Sequence, residues 1–197
     1  MHKPALTIAI PSITERHENF NRLISFLTRQ MTCENLCRYV ELIYDIDDKE
    51  VSIGAKRQSL LLRAKGKYIV MIDDDDWVSP EYVIKILGAI SKSHPDHVGF
   101  LEDCTIDGVK SKSIFSIQHK KWDENKFGYD HIRCANPKSV ILREKALEVG
   151  YNDMRYAEDR AFSESVTKLL KTEEFINEVL YYYRYKKTEH NQRYGIK

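Results

Sequence analysis

Residues 68–77 read YIVMIDDDDW, a short apolar run followed by four consecutive aspartates and a tryptophan. An apolar run of this length is typical of a buried β-strand. Four neighbouring carboxylates repel one another, and a divalent cation would neutralise them, because Mg²⁺ and Mn²⁺ bind one or two carboxylates and complete their shells with water and phosphate oxygens. The stretch therefore predicts a metal–phosphate site at the carboxyl end of a strand, where open α/β sheets bind ligands. A solvated acidic loop is the alternative, which the adjacent strand and Trp77 disfavour.

The composition is that of an ordinary soluble protein. Of the 197 residues 42% are hydrophobic and 31% are charged, and the net charge is +1. The total charge therefore does not require a nucleic-acid or membrane partner, although the basic stretches 110–126 and 181–197 leave a phosphate-bearing partner open. No apolar stretch approaches the roughly 20 residues of a membrane span, and the N-terminus lacks a signal-peptide pattern. We expect a cytoplasmic protein with no membrane span.

The order of predicted elements gives the fold class. The first half alternates strands and helices, with strands at 6–10, 39–44 and 67–72 and helices at 17–31, 53–64 and from Ser79, whose hydroxyl we expect to cap the third helix. This alternation predicts an α/β fold with a Rossmann-like, mainly parallel sheet flanked by helices on both faces. The second half differs: Asp107-Gly108 predicts a hairpin turn, followed by a strand at 139–143, a helix at 158–170 and a strand at 175–185.

Several motifs that bind nucleotides or metals are absent. The first strand is followed by PSITER at 11–16, which lacks the glycines and lysine of a P-loop. The consecutive aspartates do not have the alternating acids and central glycine of an EF-hand loop, and no G-x-G-x-x-G fingerprint is present. These exclusions leave one kind of site, in which a metal binds a diphosphate and no glycine-rich loop surrounds the phosphates.

Five motifs in order then resemble one family. They are the first strand with PSITER at 11–16, the second strand ending at Tyr44-Asp45, GAKRQ at 54–58, the Asp-x-Asp motif at 73–75, and Glu158-Asp159 at a helix start. Together they resemble the family 2 glycosyltransferases with the GT-A fold. The compact chain and the Ser-x-Gly-x-Lys-Arg stretch at 52–57 resemble the small bacteriophage-encoded glycosyltransferases. The chain departs from the family at Gln58, where asparagine is usual, and at Ala157, where glycine is common.

The resemblance implies a nucleoside-diphosphate sugar as donor, and we expect a UDP-sugar. The residues implied in binding its nucleoside and phosphates are Pro11, Thr14, Arg16, Asp45, Lys56, Arg57, Asp73 and Asp74. Asp45 would accept a hydrogen bond from the base, and Asp73 would contact the ribose or a metal-bound water. Asp75 would ligate Mn²⁺ or Mg²⁺, with Asp73 and the late His190 as further candidate ligands.

The resemblance also implies the catalytic groups. Asp159 would be the general base that deprotonates the acceptor hydroxyl, and Glu158 would orient the acceptor. Direct displacement with one base implies inversion at the anomeric carbon. His131 and Lys138 are candidate acceptor contacts. Either acid of the Glu158-Asp159 pair could instead merely favour a helix N-terminus.

The acceptor and the domain organisation complete the expectations. We expect a single GT-A domain over 1–197, with a nucleotide-sugar-binding half at about 1–103 and a smaller acceptor-binding half at about 104–197. The short chain and its basic stretches favour 5-hydroxymethylpyrimidine in phage DNA as the acceptor. A cell-surface saccharide acceptor and a non-catalytic nucleotide-sugar-binding module are the alternatives.

Overall fold

A computed structural model describes residues 3–185, which form one ten-stranded sheet with helices on both faces. The strands are β1 Leu6–Ile13, β2 Val40–Asp47, β3 Tyr68–Met71, β4 Trp77–Val78, β5 His97–Ile106, β6 Val109–Phe115, β7 Asp123–Lys126, β8 Tyr129–Arg133, β9 Val140–Leu142 and β10 Glu173–Tyr185. The helices are α1 His17–Cys33, α2 Ile53–Arg63, α3 Tyr82–Ser93, α4 Arg143–Val149 and α5 Glu158–Val166, and a short 3₁₀ turn, Thr14–Arg16, precedes α1. None of these helices is both long and apolar enough to cross a membrane.

The centre of the sheet is mainly parallel, as predicted. The strand order is β2-β1-β3-β9-β5-β6-β8-β7, and β10 pairs with β5 in parallel and with β4 in antiparallel orientation. The strand β9 runs antiparallel to both of its neighbours, β3 and β5. Consequently β1, β2, β3, β5 and β10 all run in one direction, and their carboxyl ends meet at one edge of the sheet.

The strands bury both of their faces, because two separate cores cover the sheet. Alternate residues of a strand point to opposite faces, so Ile8 and Ile10 pack on one side and Ala9 on the other. The first core contains the apolar sides of α1 and α3. The second core contains those of α2, α4 and α5. This arrangement confirms the predicted helices on both faces of the sheet.

The predicted hairpin is confirmed, and a second hairpin was missed. Asp107 and Gly108 connect β5 to β6 with φ of 48° and 85°, as a two-residue turn of this kind requires. The strands β7 and β8 are joined by Phe127 and Gly128, also at positive φ. Phenylalanine carries no turn signal, and these strands lack an alternating apolar pattern, so the sequence did not indicate them.

The predicted hydroxyl cap of α3 is wrong. The helix begins at Tyr82, and Ser79 Oγ is buried without a hydrogen-bond partner. The amide side chain of Gln30, from α1, takes this role instead: its Oε1 accepts the N–H of Val83 (3.0 Å) and its Nε2 donates to the carbonyl of Ser79 (3.0 Å). A long-range contact thus replaced the local cap. The helix predicted over 158–170 is also shorter, because α5 ends at Val166.

A close approach at Gly54 predicts the effect of two glycine substitutions. A Cβ at Gly54 would lie 1.9 Å from the carbonyl oxygen of Asn152, whereas a Cβ at Gly88, on the exposed side of α3, would meet nothing within 4 Å. We expect Gly54→Ala to lower the free energy of unfolding by at least about 1–3 kcal/mol. The control Gly88→Ala should raise it by roughly 0.5–1 kcal/mol. Urea denaturation measures both, and equal effects would contradict the contact.

The buried Glu173 predicts how stability depends on pH. Burial alone would raise the pKa of this carboxyl, but its contacts with His97 (2.8 Å) and Ser116 (2.7 Å) outweigh burial and lower the pKa below its usual 4.5. A lowered pKa stabilises the fold above the unfolded pKa, and this stabilisation is lost as the pH falls through the folded pKa.

We therefore expect Glu173→Gln to lose less stability than the wild type on acidification from about pH 6 to about pH 3. The urea midpoint measured across this range gives the slope for each protein. Glu18→Gln, at an exposed position of α1, serves as the control and should keep the wild-type slope. A wild-type slope in Glu173→Gln would show that this carboxyl does not contribute to acid sensitivity.

Candidate active site

A cleft of about 850 Å³ lies at the edge where the parallel strands end. Its walls come from the ends of β1 and β5, the start of α2, the start of α5 and the β7–β8 hairpin. Its floor is the turn of residues 73–76, called here the aspartate loop, in which the N–H of Asp76 donates to the carbonyl of Asp73 (3.1 Å). The four carboxylates thus follow directly from a buried strand into a cleft, as the sequence predicted.

Arg16 forms ion pairs with two of the aspartates. It stands in the turn between β1 and α1, and its guanidinium pairs with Asp74 and with Asp75 (2.9 Å). Asp74 is nearly fully buried and also accepts the hydroxyl of Ser12 (2.6 Å). Asp75 keeps about a third of its side chain exposed to the cleft. Of the two, Asp75 is therefore the carboxylate that a ligand can reach.

Arg57 joins the aspartate loop to α5. Its guanidinium donates to Asp73 Oδ1 (2.8 Å) and to Glu158 Oε1 (2.9 Å), and it is buried beneath the cleft. Arg57 occupies the side of α2 that also carries the buried Leu60 and Leu61, which explains why this cation does not reach solvent. Burial raises the pKa of Glu158, and the charge of Arg57 opposes that rise.

Lys138 neutralises the last aspartate. Its ammonium lies 3.0 Å from Asp76 Oδ2 and 3.5 Å from Glu102 Oε2, and 3.6 Å from the ring centre of Tyr183. The hydroxyl of Tyr181 also donates to Asp76 (2.7 Å). Burial raises the pKa of Asp76 to about 7, although Lys138 acts to lower it. This network lies behind the aspartate loop and fixes its end at β4.

Three cations of the chain itself thus compensate part of the charge of the four aspartates, and two of them are shared with Glu158 and Glu102. The charge argument that predicted a divalent cation was therefore incomplete, because it overlooked Arg16, Arg57 and Lys138. Across residues 3–185 no cluster of three or more His, Cys, Asp or Glu side chains could hold a metal by itself. The exposed oxygen atoms of Asp75 still fit a cation that takes one carboxylate and completes its shell with phosphate and water. Metal binding remains a prediction.

The wall formed by the start of α2 carries another buried cation. Lys56 follows the N-cap of α2, where Ser52 Oγ accepts the N–H of Ala55 (3.0 Å). Its ammonium pairs with Asp47 at the end of β2 and donates to the carbonyl of Ser12. Lys56 and Arg57 are therefore structural cations of the cleft rather than part of a solvated helix surface.

The start of α5 forms the opposite wall. Ala157 precedes it with φ of 61°, a left-handed conformation that explains why glycine is common here in the family that the sequence resembles. Glu158 turns inward to Arg57, while Asp159 lines the cleft and accepts the N–H of Arg160 (2.8 Å) through one carboxylate oxygen. The other oxygen can accept a proton from a bound hydroxyl.

Most of the predicted site residues meet in this one cleft. Those that line it are Pro11, Arg16, Lys56, Arg57, Asp73, Asp74, Asp75, His131, Lys138, Glu158 and Asp159. Thr14 and Asp45 lie outside the lining, and Asp45 instead accepts the hydroxyl of Ser59 (3.1 Å). His190 lies outside the described residues. His131 is held between Glu124 (2.6 Å) and Ser111 (3.1 Å).

Sequence reasoning missed the residues that support the site. Glu102 and Tyr181 hold the Lys138–Asp76 pair but carry no motif, and only their burial reveals them. Asp47, which pairs with Lys56, is two residues from the predicted Asp45 and shares its side of β2. The departure at Gln58 also has a role, because its longer side chain accepts the N–H of Tyr151 (2.7 Å).

The sheet and its flanking helices define an α/β protein with the GT-A fold. The model of the family Glycosyl transferase family 2 matches residues 33–148, more than half of the chain, so the chain belongs to that family. No curated protein sequence matches.

Solved structures give the same fold. S. aureus TarS 1-349 superposes with a TM-score of 0.64 at 13% sequence identity over 91% of this chain. Its complex with UDP-GlcNAc gives a TM-score of 0.61 at 13% identity over 91% of this chain, and its complex with UDP gives 0.61 at 14% over 95%. This chain spans 60%, 58% and 62% of those three chains, respectively.

The buried pairing of Arg57 predicts a large loss of stability when it is removed. We expect Arg57→Met to lower the free energy of unfolding by about 3–5 kcal/mol, because Asp73 and Glu158 would keep their charges without a partner. Arg63→Met is the control on the same helix; its guanidinium is half exposed and 3.4 Å from Asp45, so the loss should stay below about 1 kcal/mol. Urea denaturation compares them, and similar losses would contradict a structural role for Arg57.

Proposed function

We propose that this protein transfers a sugar from a nucleoside-diphosphate sugar to an acceptor hydroxyl, with inversion at the anomeric carbon. The observation that carries the proposal is that the aspartate loop and Asp159 face one cleft, joined beneath it by Arg57. One side of this cleft suits a diphosphate and the other suits a base acting on an acceptor. Membership of glycosyl transferase family 2 supports the same reaction class.

The donor would bind along the aspartate loop. The segments that follow β1 and β2 bring Arg16 and Lys49 to this side of the cleft, and cations of this kind stabilise a diphosphate. TarS, which shares the fold, has been solved in complex with UDP-GlcNAc and with UDP. A UDP-sugar is therefore the donor class that we propose, without assigning the sugar.

A divalent cation, Mn²⁺ or Mg²⁺, would be held by Asp75, with Asp73 beside it. Such an ion supplies stabilisation of the negative charge that develops on the leaving nucleoside diphosphate. Arg16, which pairs with Asp75, would lie beside this ion and would donate to the phosphates. Asp74 would remain in its buried contacts with Ser12 and support the loop.

Asp159 would act as the general base. Its carboxylate lies in the cleft and would accept the proton of the acceptor hydroxyl as that oxygen attacks the anomeric carbon. A single displacement of this kind inverts the configuration. Glu158 would not touch the acceptor, since it is buried against Arg57; it would position Asp159 instead.

The acceptor that we propose is a 5-hydroxymethylpyrimidine in DNA. Its hydroxymethyl group offers the primary hydroxyl that the reaction needs, and a base in a duplex would have to be flipped out to reach the cleft. Arg133, Arg160 and Trp122 line the cleft together with Asp159, and both guanidinium groups lie within 6 Å of the indole ring centre. Arg133 also pairs with Glu124 and Arg160 with Glu164, so a phosphate-bearing acceptor would compete with these carboxylates for the two guanidinium groups.

Two substitutions separate donor binding from chemistry. We expect Asp159→Asn to lower sugar transfer roughly 10²–10⁴-fold, because the base is lost, while UDP binding in Mn²⁺ stays at the wild-type level. Asp75→Asn should weaken UDP binding in Mn²⁺ but change it little when the metal is chelated. Calorimetric titration with UDP and a transfer assay with a panel of nucleotide sugars measure the two steps.

Glu144→Gln is the control, since Glu144 is exposed on α4 and lies outside the cleft lining, and it should leave both steps unchanged. Asp45→Asn tests the base contact that the family resemblance implies, and weaker UDP binding both with and without Mn²⁺ would support that contact. If wild-type protein bound no nucleotide sugar with or without metal, the proposed function would be wrong, and the non-catalytic alternative would require a different ligand.

A further inference from the structure

A second groove of about 940 Å³ lies behind the β5–β6 hairpin. Glu102 and Ile106 face the first cleft, whereas Asp103 and Thr105 face this groove, as expected for alternate residues of one strand. The two spaces meet where they share lining residues, which are Asp75, Cys104, Tyr183 and Arg184. The groove therefore opens onto the aspartate loop from the side opposite the start of α5.

The strand register places cations in rows across this groove. Thr105 pairs with Lys110 on β6 and with Arg184 on β10, so these two cations flank it on neighbouring strands. Two residues earlier on β5, Asp103 lies between Lys112 on β6 and Tyr182 on β10. Adjacent strands are about 4.8 Å apart, so the cationic side chains converge on one concave surface. Arg22 completes it from α1.

These cations differ from those of the first cleft in having no carboxylate partner. Arg16, Lys56, Arg57 and Lys138 are all in ion pairs, whereas within residues 3–185 no ion pair involves Arg22, Lys110, Lys112 or Arg184. Of the four carboxylates that line the groove, Asp75 pairs with Arg16 and Asp76 with Lys138, which leaves Asp103 and Asp130. The four cations outnumber these two carboxylates, so the groove is a net positive surface suited to an external anion.

Aromatic groups in the groove indicate which anion. The ring of Tyr182 is 38% exposed, and bases stack on such rings. Trp77 lies 4.9 Å from the guanidinium of Arg22, measured from its ring centre, and this contact helps to orient that cation. A polyanion without bases would make no use of the exposed Tyr182 ring.

We propose that the second groove binds a single strand of nucleic acid and leads the acceptor nucleotide into the first cleft. Its phosphates contact Arg22, Lys110, Lys112 and Arg184, and a base stacks on Tyr182. A base can stack on Tyr182 only where it is unpaired and out of a duplex, which favours a single strand. The inference rests on the proposed function only for the last step, the delivery of an acceptor to Asp159; binding of the strand can be tested by itself.

The test is fluorescence anisotropy of a labelled single-stranded oligodeoxynucleotide with the full chain at several salt concentrations. We expect Lys110→Gln/Lys112→Gln to weaken binding at least about tenfold at low salt and to reduce the slope of log K against log salt by about 0.7 for each lysine removed. Lys168→Gln/Lys171→Gln is the matched control: two exposed lysines near the opposite end of β10, which should leave binding unchanged. Thermal melting confirms that each variant is folded.

A second variant separates nucleic acid from any other polyanion. Tyr182→Ala should weaken oligonucleotide binding but not the binding of inorganic polyphosphate, since only the former has bases to stack. If polyphosphate competed as well as DNA and Tyr182→Ala had no effect, the groove would be a site for a polyanion without bases, and the proposal would be overturned. Wild-type affinity in the double lysine variant would overturn it as well.

Hydrolysis of UDP-sugars by the wild-type protein, measured in the same preparations, keeps the two proposals apart. A protein that hydrolyses a UDP-sugar but binds no oligonucleotide would refute the groove and leave the proposed function intact. A protein that binds the strand through the groove lysines but no nucleotide sugar would refute the proposed function and keep the groove as a nucleic-acid site.

Discussion

The site depends on one buried interaction, the double ion pair of Arg57. Its guanidinium joins α2 to the aspartate loop and to the start of α5, three segments that are far apart in the sequence. Taking three charges out of water is costly, and such a group stabilises the fold only when every charge keeps its partner. The geometry of Arg57 therefore sets how far Asp75 and Asp159 stand from each other across the cleft.

The same compensation of charge describes the cleft before any ligand is bound. Arg16, Arg57 and Lys138 compensate three of the four aspartate charges, so part of the negative charge stays open to a cationic partner. A ligand that drew Arg16 away from Asp75 would have to replace that ion pair. The affinity of such a ligand would therefore depend on the difference between two sets of ion pairs rather than on the sum of new ones.

The fold was largely predictable because its signals are local. The alternation of Ile8, Ala9 and Ile10 between two cores and the Asp107-Gly108 turn follow directly from side-chain periodicity and backbone conformation. The contact of Gln30 with the start of α3 was not predictable, since it joins residues about fifty positions apart and replaces a local cap. The cations around the aspartates escaped prediction for the same reason: a motif shows which charges are clustered, not which distant side chains balance them.

The backbone at Ala157 has a consequence for how the proposed base is held. A residue with a Cβ in the left-handed region costs about 1–2 kcal/mol relative to glycine, and such a conformation persists only where its surroundings hold it. Here Arg57 holds the next residue, Glu158, from below. The ion pair therefore acts as the anchor of a strained turn. Any event that released Glu158 would free this turn to change its conformation, and the position of Asp159 would change with it.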